Sequence, residues 1–343
     1  MHVLGRPADA EGPTGRLGHY RAADGSSGAP VGVDLDRPHA ALVVGKRGSG
    51  KSHTLGVLAE AAADTRGVAP VVVDPMGALC GLAAGRGRTV APRVRADAVP
   101  PRDWPALLGL DPTGGPGGLI WRAAADRATL DGMTDFVAAS DAARAACRAA
   151  ANHLRLADSW GVFDPTGLDA AALCGGGATV LDCAGVPDAA ARAVVAGVAR
   201  ALYDARVERR VERLPWLLVD EAHAFLDGGA ADPALRTLLT RGRAPGVSLV
   251  AATQRPGVLP AVARSQADLL VAHRLTAEPD VAALAAATPT YLDGTLRARL
   301  PRETGAAVVV DDATESVHGV RVRERETPHE GETPRASRQG ERA

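Results

Sequence analysis

Eight consecutive residues, Gly45-Lys46-Arg47-Gly48-Ser49-Gly50-Lys51-Ser52, carry the clearest chemistry in the chain. Their spacing, G-x-x-x-x-G-K-[ST], is that of a loop built to hold phosphate. Glycines let the backbone turn tightly, so that successive N–H groups face one anion. A helix beginning near Lys51 adds the positive end of its dipole. Lys51 is then placed to reach the β- and γ-phosphates of ATP, and the Ser52 hydroxyl to ligate Mg²⁺. A Gly-rich surface turn is the plainer alternative. The context opposes it, because an apolar strand (Ala40–Val44) precedes the loop and a helix (Ser52–Ala63) follows. Both lysines of the chain lie in this stretch, and every other basic side chain is an arginine. The candidate nucleotide-binding residues are Gly45, Lys46, Gly48, Ser49, Gly50, Lys51 and Ser52, with His53 behind them.

Such a loop needs carboxylates to hold the metal and activate water. Leu214–Val219 is an apolar run ending in Asp220-Glu221. A buried strand there delivers both acids to the carboxyl edge of a sheet, where α/β ligands bind. Asp220 is the candidate metal residue together with Ser52, and Glu221 the candidate general base. Gln254 ends another apolar run and could orient water or touch the γ-phosphate. Arg241 and Arg243 bracket Gly242 at the end of a short helix. Either could neutralise phosphate charge in the transition state, or simply oppose the helix dipole. Arg243 is slightly preferred.

The elements that must position these groups alternate strand and helix. Apolar strands without alternation are expected at Ala40–Val44, Ala69–Val73, Ala178–Leu181, Trp216–Val219, Val247–Ala252 and Leu269–Ala272, with a weak one near Thr89–Val94. That is the pattern of a parallel sheet covered on both faces. Helices are expected over Leu119–Leu130, Ala138–Ala157 and Ala189–Arg213. The last carries Arg206, Arg209, Arg210 and Arg213, but Glu208 and Glu212 interleave, so intrahelical ion pairs are the simpler reading. Residues 1–37 hold pieces able to form a hairpin, and Ala306–Val310 with Ser316–Val322 read as a closing hairpin. From Arg323 the sequence is charged and non-periodic, and residues 323–343 read as a disordered tail.

Composition narrows the class. The chain is 343 residues with 46% hydrophobic but only 3% aromatic residues, so a large core must be made of Ala, Val and Leu. The formal net charge of −1 gives no global field toward nucleic acid and excludes none. No run approaches the roughly 18 apolar residues of a membrane span. Met1–Ala10 lacks the apolar segment of a signal peptide. Cys80, Cys147, Cys174 and Cys183 form no CxxC pair, so neither a disulfide framework nor a zinc cluster is expected. A cytoplasmic protein with no membrane partner is the expectation.

Four segments together resemble the HerA/FtsK superfamily of P-loop motor ATPases, the HerA branch most closely: 39–60 (HAALVVGKRGSGKSHTLGVLAE), 71–79 (VVVDPMGAL), 217–226 (LLVDEAHAFL) and 243–260 (RAPGVSLVAATQRPGVLP). The resemblance covers about 39–320, with gaps at 84–170. It implies an α/β fold: a RecA-like P-loop NTPase with a mainly parallel sheet flanked by helices, a short N-terminal hairpin, and a C-terminal hairpin plus flexible tail. The corresponding organisation is an extension (1–37), an ATPase domain (38–322) with an insertion around 84–170, and the tail. It also implies ATP and Mg²⁺ as ligands, hexameric rings, and helicase or translocase movement along double-stranded DNA, alongside a nuclease or other DNA-processing partner. Lys51, Ser52, Asp220, Glu221 and Gln254 match the family's nucleotide site, and Arg243 matches an arginine that bridges subunits. Asp74 matches a further family position. The chain departs from HerA proteins in having too few residues before the core for their N-terminal β-barrel. A second reading therefore stands beside the motor: an ATP-binding switch or scaffold acting on a protein partner.

Overall fold

Strands without polar alternation belong where both faces are covered, and the computed structural model places them there. It describes residues 1–7, 9–22, 24–287, 291 and 295–329. Seven parallel strands run side by side. In chain order they are β4 (Ala40–Val44), β5 (Val68–Asp74), β6 (Gly87–Val90), β7 (Ala178–Asp182), β8 (Leu214–Val219), β9 (Ser248–Thr253) and β10 (Leu269–Ala272). Their spatial order is β10-β4-β9-β8-β5-β7-β6. Every residue of β5 and β9 is buried.

Beyond β10 the sheet continues with antiparallel strands. β11 (Ala306–Asp311) and β12 (Ser316–Val322) lead to β2 (Thr14–Arg21) and β3 (Ser27–Asp34), and β1 (His2–Leu4) lies parallel to β3. The N-terminal segment thus extends the same twelve-stranded sheet instead of folding apart from it.

Helix α1 (Lys51–Ala63) covers one face, burying Leu55, Val57 and Leu58 against Val43, Val72, Leu218 and Val250. The helices Asp188–Val207 and Asp232–Arg241 cover the other, with Val194, Val198, Leu202, Leu235 and Leu238 in a second core. The segment 84–170 packs a third core around Trp104, Ile120, Met133 and Leu154, joined to the rest of the chain by Ala193 and Ala230.

Three helix boundaries differ from expectation. In place of two helices at 119–130 and 138–157 there are three: Gly115–Asp126, Leu130–Ala138 and Arg144–Ser159. Thr129 starts the middle one, its hydroxyl accepting from the Gly132 amide. Ser140 accepts from the Ala142 amide and so offers the backbone a turn in place of the helix. The long helix ends at Val207, not Arg213: Arg209 takes φ 58°, and Arg206 donates to the carbonyls of Val211 and Glu212, which fold back beneath it. The weak strand near Thr89–Val94 lies at Gly87–Val90, and Val94 makes only an isolated bridge to Phe163.

Residues 323–329 do not behave as a disordered tail. They pack along α1, where Glu60 is fully buried. Its carboxylate accepts from the Thr327 amide (2.9 Å) and hydroxyl (2.7 Å), the Glu326 amide (3.0 Å) and Arg323 Nη1 (2.7 Å). Gly56 leaves room for Arg325; a Cβ there would lie 2.6 Å from its Nε. A buried carboxylate must be satisfied, and α1 presents one whose hydrogen-bond donors all come from this segment. Periodicity is blind to such a contact. The remainder of the expected tail, 330–343, lies outside the described residues.

Candidate active site

Five of the seven parallel strands bring a polar residue to the same sheet edge: Asp74, Asp182 and Thr253 end β5, β7 and β9, and Asp220 and His273 come immediately after β8 and β10. β9 lies between β4 and β8, with Val44 opposite Thr253 and Val219 opposite Ala251. The loop after β4 therefore faces Asp220-Glu221 across the strand that carries Gln254.

The loop has the shape its glycines suggest. Gly48 and Gly50 take φ 74° and 117°, values that an L side chain resists. Among the described residues the amides of Gly48, Gly50, Lys51 and Ser52 donate to no backbone carbonyl, and α1 starts without a side-chain cap. The helix thus opens on free N–H groups and the positive end of its dipole. Lys51 Nζ lies 3.3 Å from the Lys46 carbonyl, folded over the loop. Burial pulls the Lys51 pKa down, and Glu221 and Asp220 oppose that pull. The buried Ser49 hydroxyl has no hydrogen-bond partner. A cradle of unpaired donors around a half-desolvated ammonium is what a polyphosphate needs, so the residues fit ATP.

Ser52 Oγ donates to Asp220 Oδ2 at 2.6 Å. One hydroxyl and one carboxylate oxygen at a single point are suited to Mg²⁺, which takes few protein ligands and completes its shell with water and phosphate. Among the described residues no cluster of three His, Cys, Asp or Glu side chains exists, and such a site needs none.

Glu221 adopts φ 48°, ψ 40°, a left-handed conformation costing on the order of 1–3 kcal/mol for a non-glycine residue. Strain of this kind persists where the surroundings hold it, and here it turns the chain at the strand's end. Burial raises the Glu221 pKa, and the neighbouring Asp220 charge adds to it. Gln254 bears on the same carboxylate. His223 Nδ1 sits 3.3 Å from Glu221 Oε2 and 3.2 Å from Thr253 Oγ1. Burial lowers the His223 pKa, with Arg255 and Lys51 adding to the effect, so its ring is neutral. The histidine thus lies between the acid that ends β8 and the strand that carries Gln254.

Not every expected residue joins the cluster. Arg243 is at the opposite, amino edge of the sheet, about 20 Å away along the six residues of β9. Its Nη2 is 2.9 Å from Asp268 Oδ2, and its side chain is 71% exposed. It cannot serve the phosphate loop of its own chain. His53 turns from the loop, its Nε2 2.8 Å from the Arg323 carbonyl oxygen. Asp74 builds the turn after β5, accepting from the amides of Met76, Ala78 and Leu79.

Sequence reading missed His273. Its buried ring accepts at Nε2 from Thr54 Oγ1 (2.8 Å) and donates from Nδ1 to the Ala306 carbonyl (2.8 Å), tying α1 to β11. Burial lowers its pKa to about 4, which fixes it neutral. Gly45 permits this packing, since a Cβ would meet the His273 Cβ at 2.7 Å. The available signal was its place just beyond an apolar strand.

A parallel sheet with the phosphate loop after one strand, acidic residues after the second neighbour and a glutamine after the strand between is the RecA-like fold of P-loop NTPases. No protein-family model matches the sequence, and no curated protein matches it. Among solved structures the chain is similar to VirB4 of Thermoanaerobacter pseudethanolicus, with TM-score 0.69 and 17% identity over 92% of this chain and 98% of that one. It is also similar to TrwBdeltaN70, a bacterial conjugative coupling protein. The unbound monoclinic form gives TM-score 0.56 and 16% identity over 96% and 99% of the two chains. The form with sulphate gives 0.57 and 17% over 94% and 98%. At these identities the likeness is one of fold.

Proposed function

We propose that this protein is an ATP-hydrolysing motor that acts on double-stranded DNA as a homo-oligomeric, hexameric ring. The observation that carries the reading is the meeting of Ser52 with Asp220 at 2.6 Å, beside Lys51, Glu221 and Gln254. The ATPase fold and the conjugative coupling protein among its structural relatives support a DNA substrate. Among the described residues no helix is long and apolar enough to cross a membrane.

The loop amides and Lys51 bind the triphosphate and take up charge that grows on it in the transition state. Ser52 and Asp220 would hold Mg²⁺, which when bound neutralises the β- and γ-phosphate oxygens. Glu221 accepts a proton from the attacking water as the oxygen bonds to the γ-phosphorus and the bond to the β–γ bridging oxygen breaks. Gln254 orients that water, and His223, hydrogen-bonded to Thr253, packs beside the Glu221 carboxylate. Arg243, remote from its own loop and largely exposed beside Asp268, serves a neighbouring subunit's site.

Steady-state ATP hydrolysis with and without linear duplex DNA tests the reading, with Lys51→Ala as control. Stimulation by DNA, lost in Lys51→Ala, is expected. Hydrolysis that ignores DNA would sink the motor and favour a switch acting on a protein partner, for which the insertion supplies a surface.

A further inference from the structure

Three of the four arginines in the first basic region suggested by the sequence are engaged internally, and the fourth, Arg209, is exposed alone at the turn after the helix. Arg206 donates to the carbonyls of Pro245, Val211 and Glu212, Arg210 pairs with Glu208, and Arg213 donates to the Gly175 carbonyl. Within the insertion five of the ten arginines are ion-paired: Arg86 with Asp64 and Glu326, Arg93 with Asp164, Arg95 with Asp97, Arg102 with Asp103, Arg127 with Asp126; Arg88 donates to the Ala172 carbonyl and Arg122 lies over the Phe136 ring. One group differs. Arg144, Arg148 and Arg155 are exposed on the helix Arg144–Ser159 and have no ion pair among the described residues. Spacings of four and eleven residues put the three within about 40° of one another around the helix. Asn152 and Ser159 continue the same exposed stripe. Asp158, the helix's only carboxylate, pairs with none of the three. The opposite face is anchored by Ala150, Leu154 and Ala157 in the third core.

We propose that this stripe binds the phosphate backbone of double-stranded DNA. The inference rests on the DNA-motor reading and names a contact surface for it. Among the described residues Arg144 and Arg148 have no hydrogen-bonding or ionic partner and Arg155 has only the neutral Asn152, and Arg144 in the first turn opposes the helix dipole. A polyanion supplies the missing partners: the three span about 16 Å of helix axis, over which one DNA strand presents about five phosphates. Asn152 Oδ1 accepts from Arg155 Nη1 at 2.9 Å and holds that guanidinium on the stripe. Ala150, Leu154 and Ala157, buried in the third core, fix the helix that holds the arginines in line.

The experiment is a salt titration of duplex binding by the full chain, followed by fluorescence anisotropy of a labelled linear duplex. The triple variant Arg144→Gln, Arg148→Gln, Arg155→Gln should bind at least about tenfold more weakly at low salt. Its log K against log salt slope should be shallower by about 2–3, since each lost phosphate contact removes about 0.9. DNA-free ATP hydrolysis should be unchanged, and the triple Arg→Lys variant should keep the slope. An unchanged slope and affinity in the Gln variant would overturn the inference and leave the motor reading standing. Loss of polyglutamate binding with duplex binding intact would also overturn it, in favour of an acidic protein. A wild-type chain that binds no duplex would overturn both.

Discussion

The hydroxyl of Ser52 and the carboxylate of Asp220, 168 residues apart in the chain, meet at 2.6 Å. One stands at the start of α1 and the other just past the end of β8, and only the parallel packing of β4, β9 and β8 brings them together. Asp220→Asn keeps the shape and removes the charge. It should lower ATP turnover roughly a hundredfold, about 2.7 kcal/mol in the barrier, and raise the Mg²⁺ concentration needed for half-maximal rate. A Mg²⁺ titration of phosphate release checks both, and an unchanged requirement would remove Asp220 from the metal site.

Glu221 is poised beside that pair without contributing to the loop that holds phosphate. Glu221→Gln should therefore retain ATP binding while hydrolysis falls by about 10²–10⁴, the usual worth of a general base. Filter binding of radiolabelled ATP and single-turnover hydrolysis separate the two effects. Normal turnover in this variant would end the general-base assignment.

Glu60 and Thr327 make a contact that is structural and not catalytic. Burial pushes the Glu60 pKa up, but hydrogen bonds from Thr327, Arg323 and Glu326 outweigh it and hold the pKa below its ordinary value. Its stabilisation is therefore present above the unfolded pKa and is lost as the pH falls through the depressed folded value. Glu60→Ala leaves the Arg323 and Arg325 guanidiniums buried without their carboxylate. It should cost about 3–5 kcal/mol, read as a fall in the urea midpoint. Deleting 323–343 should destabilise by a comparable amount. A deletion that melts like the full chain would show that the segment only rests on α1.

His39 supplies a pH dependence of opposite sign. Burial pulls its pKa down, but the Asp268 and Asp34 carboxylates on its two sides outweigh that and raise it to about 9. Stability from its charge is complete below the unfolded value of 6.5 and is lost as the pH rises through about 9. Unfolding free energy should decline over that window by up to about 1.4 kcal/mol per pH unit. His39→Gln should flatten the profile there. Asp268 also holds Arg243, so the same variant reports whether that arginine's position depends on the buried charge.

Much of the site was legible in the order of residues. A phosphate loop is a local object, and its glycines, lysine and serine are fixed in spacing by the anion they surround. Apolar runs without alternation announced strands covered on both faces, and Ala40–Val44 and Leu269–Ala272 lie where the pattern put them. A parallel sheet gathers the ends of its strands at one edge, so Asp220, Glu221 and Gln254 could be assigned to one place before any coordinates.

What the order of residues left open depends on contacts between distant segments. Nothing local tells that Arg243 stands at the far edge of β9, that Glu221 turns left-handed, or that His273 bridges α1 and β11. Charge and low periodicity made 323–329 look unstructured, because composition measures how much apolar surface a segment can bury. It does not register a buried carboxylate elsewhere that draws the segment in through hydrogen bonds. The sequence by itself determined the phosphate chemistry and the alternation of strand and helix, since both arise from neighbours along the chain. Tertiary structure alone decided which charges are paired, which are buried, and which, like Arg144, Arg148 and Arg155, are left facing outward, since those outcomes depend on what packing brings near.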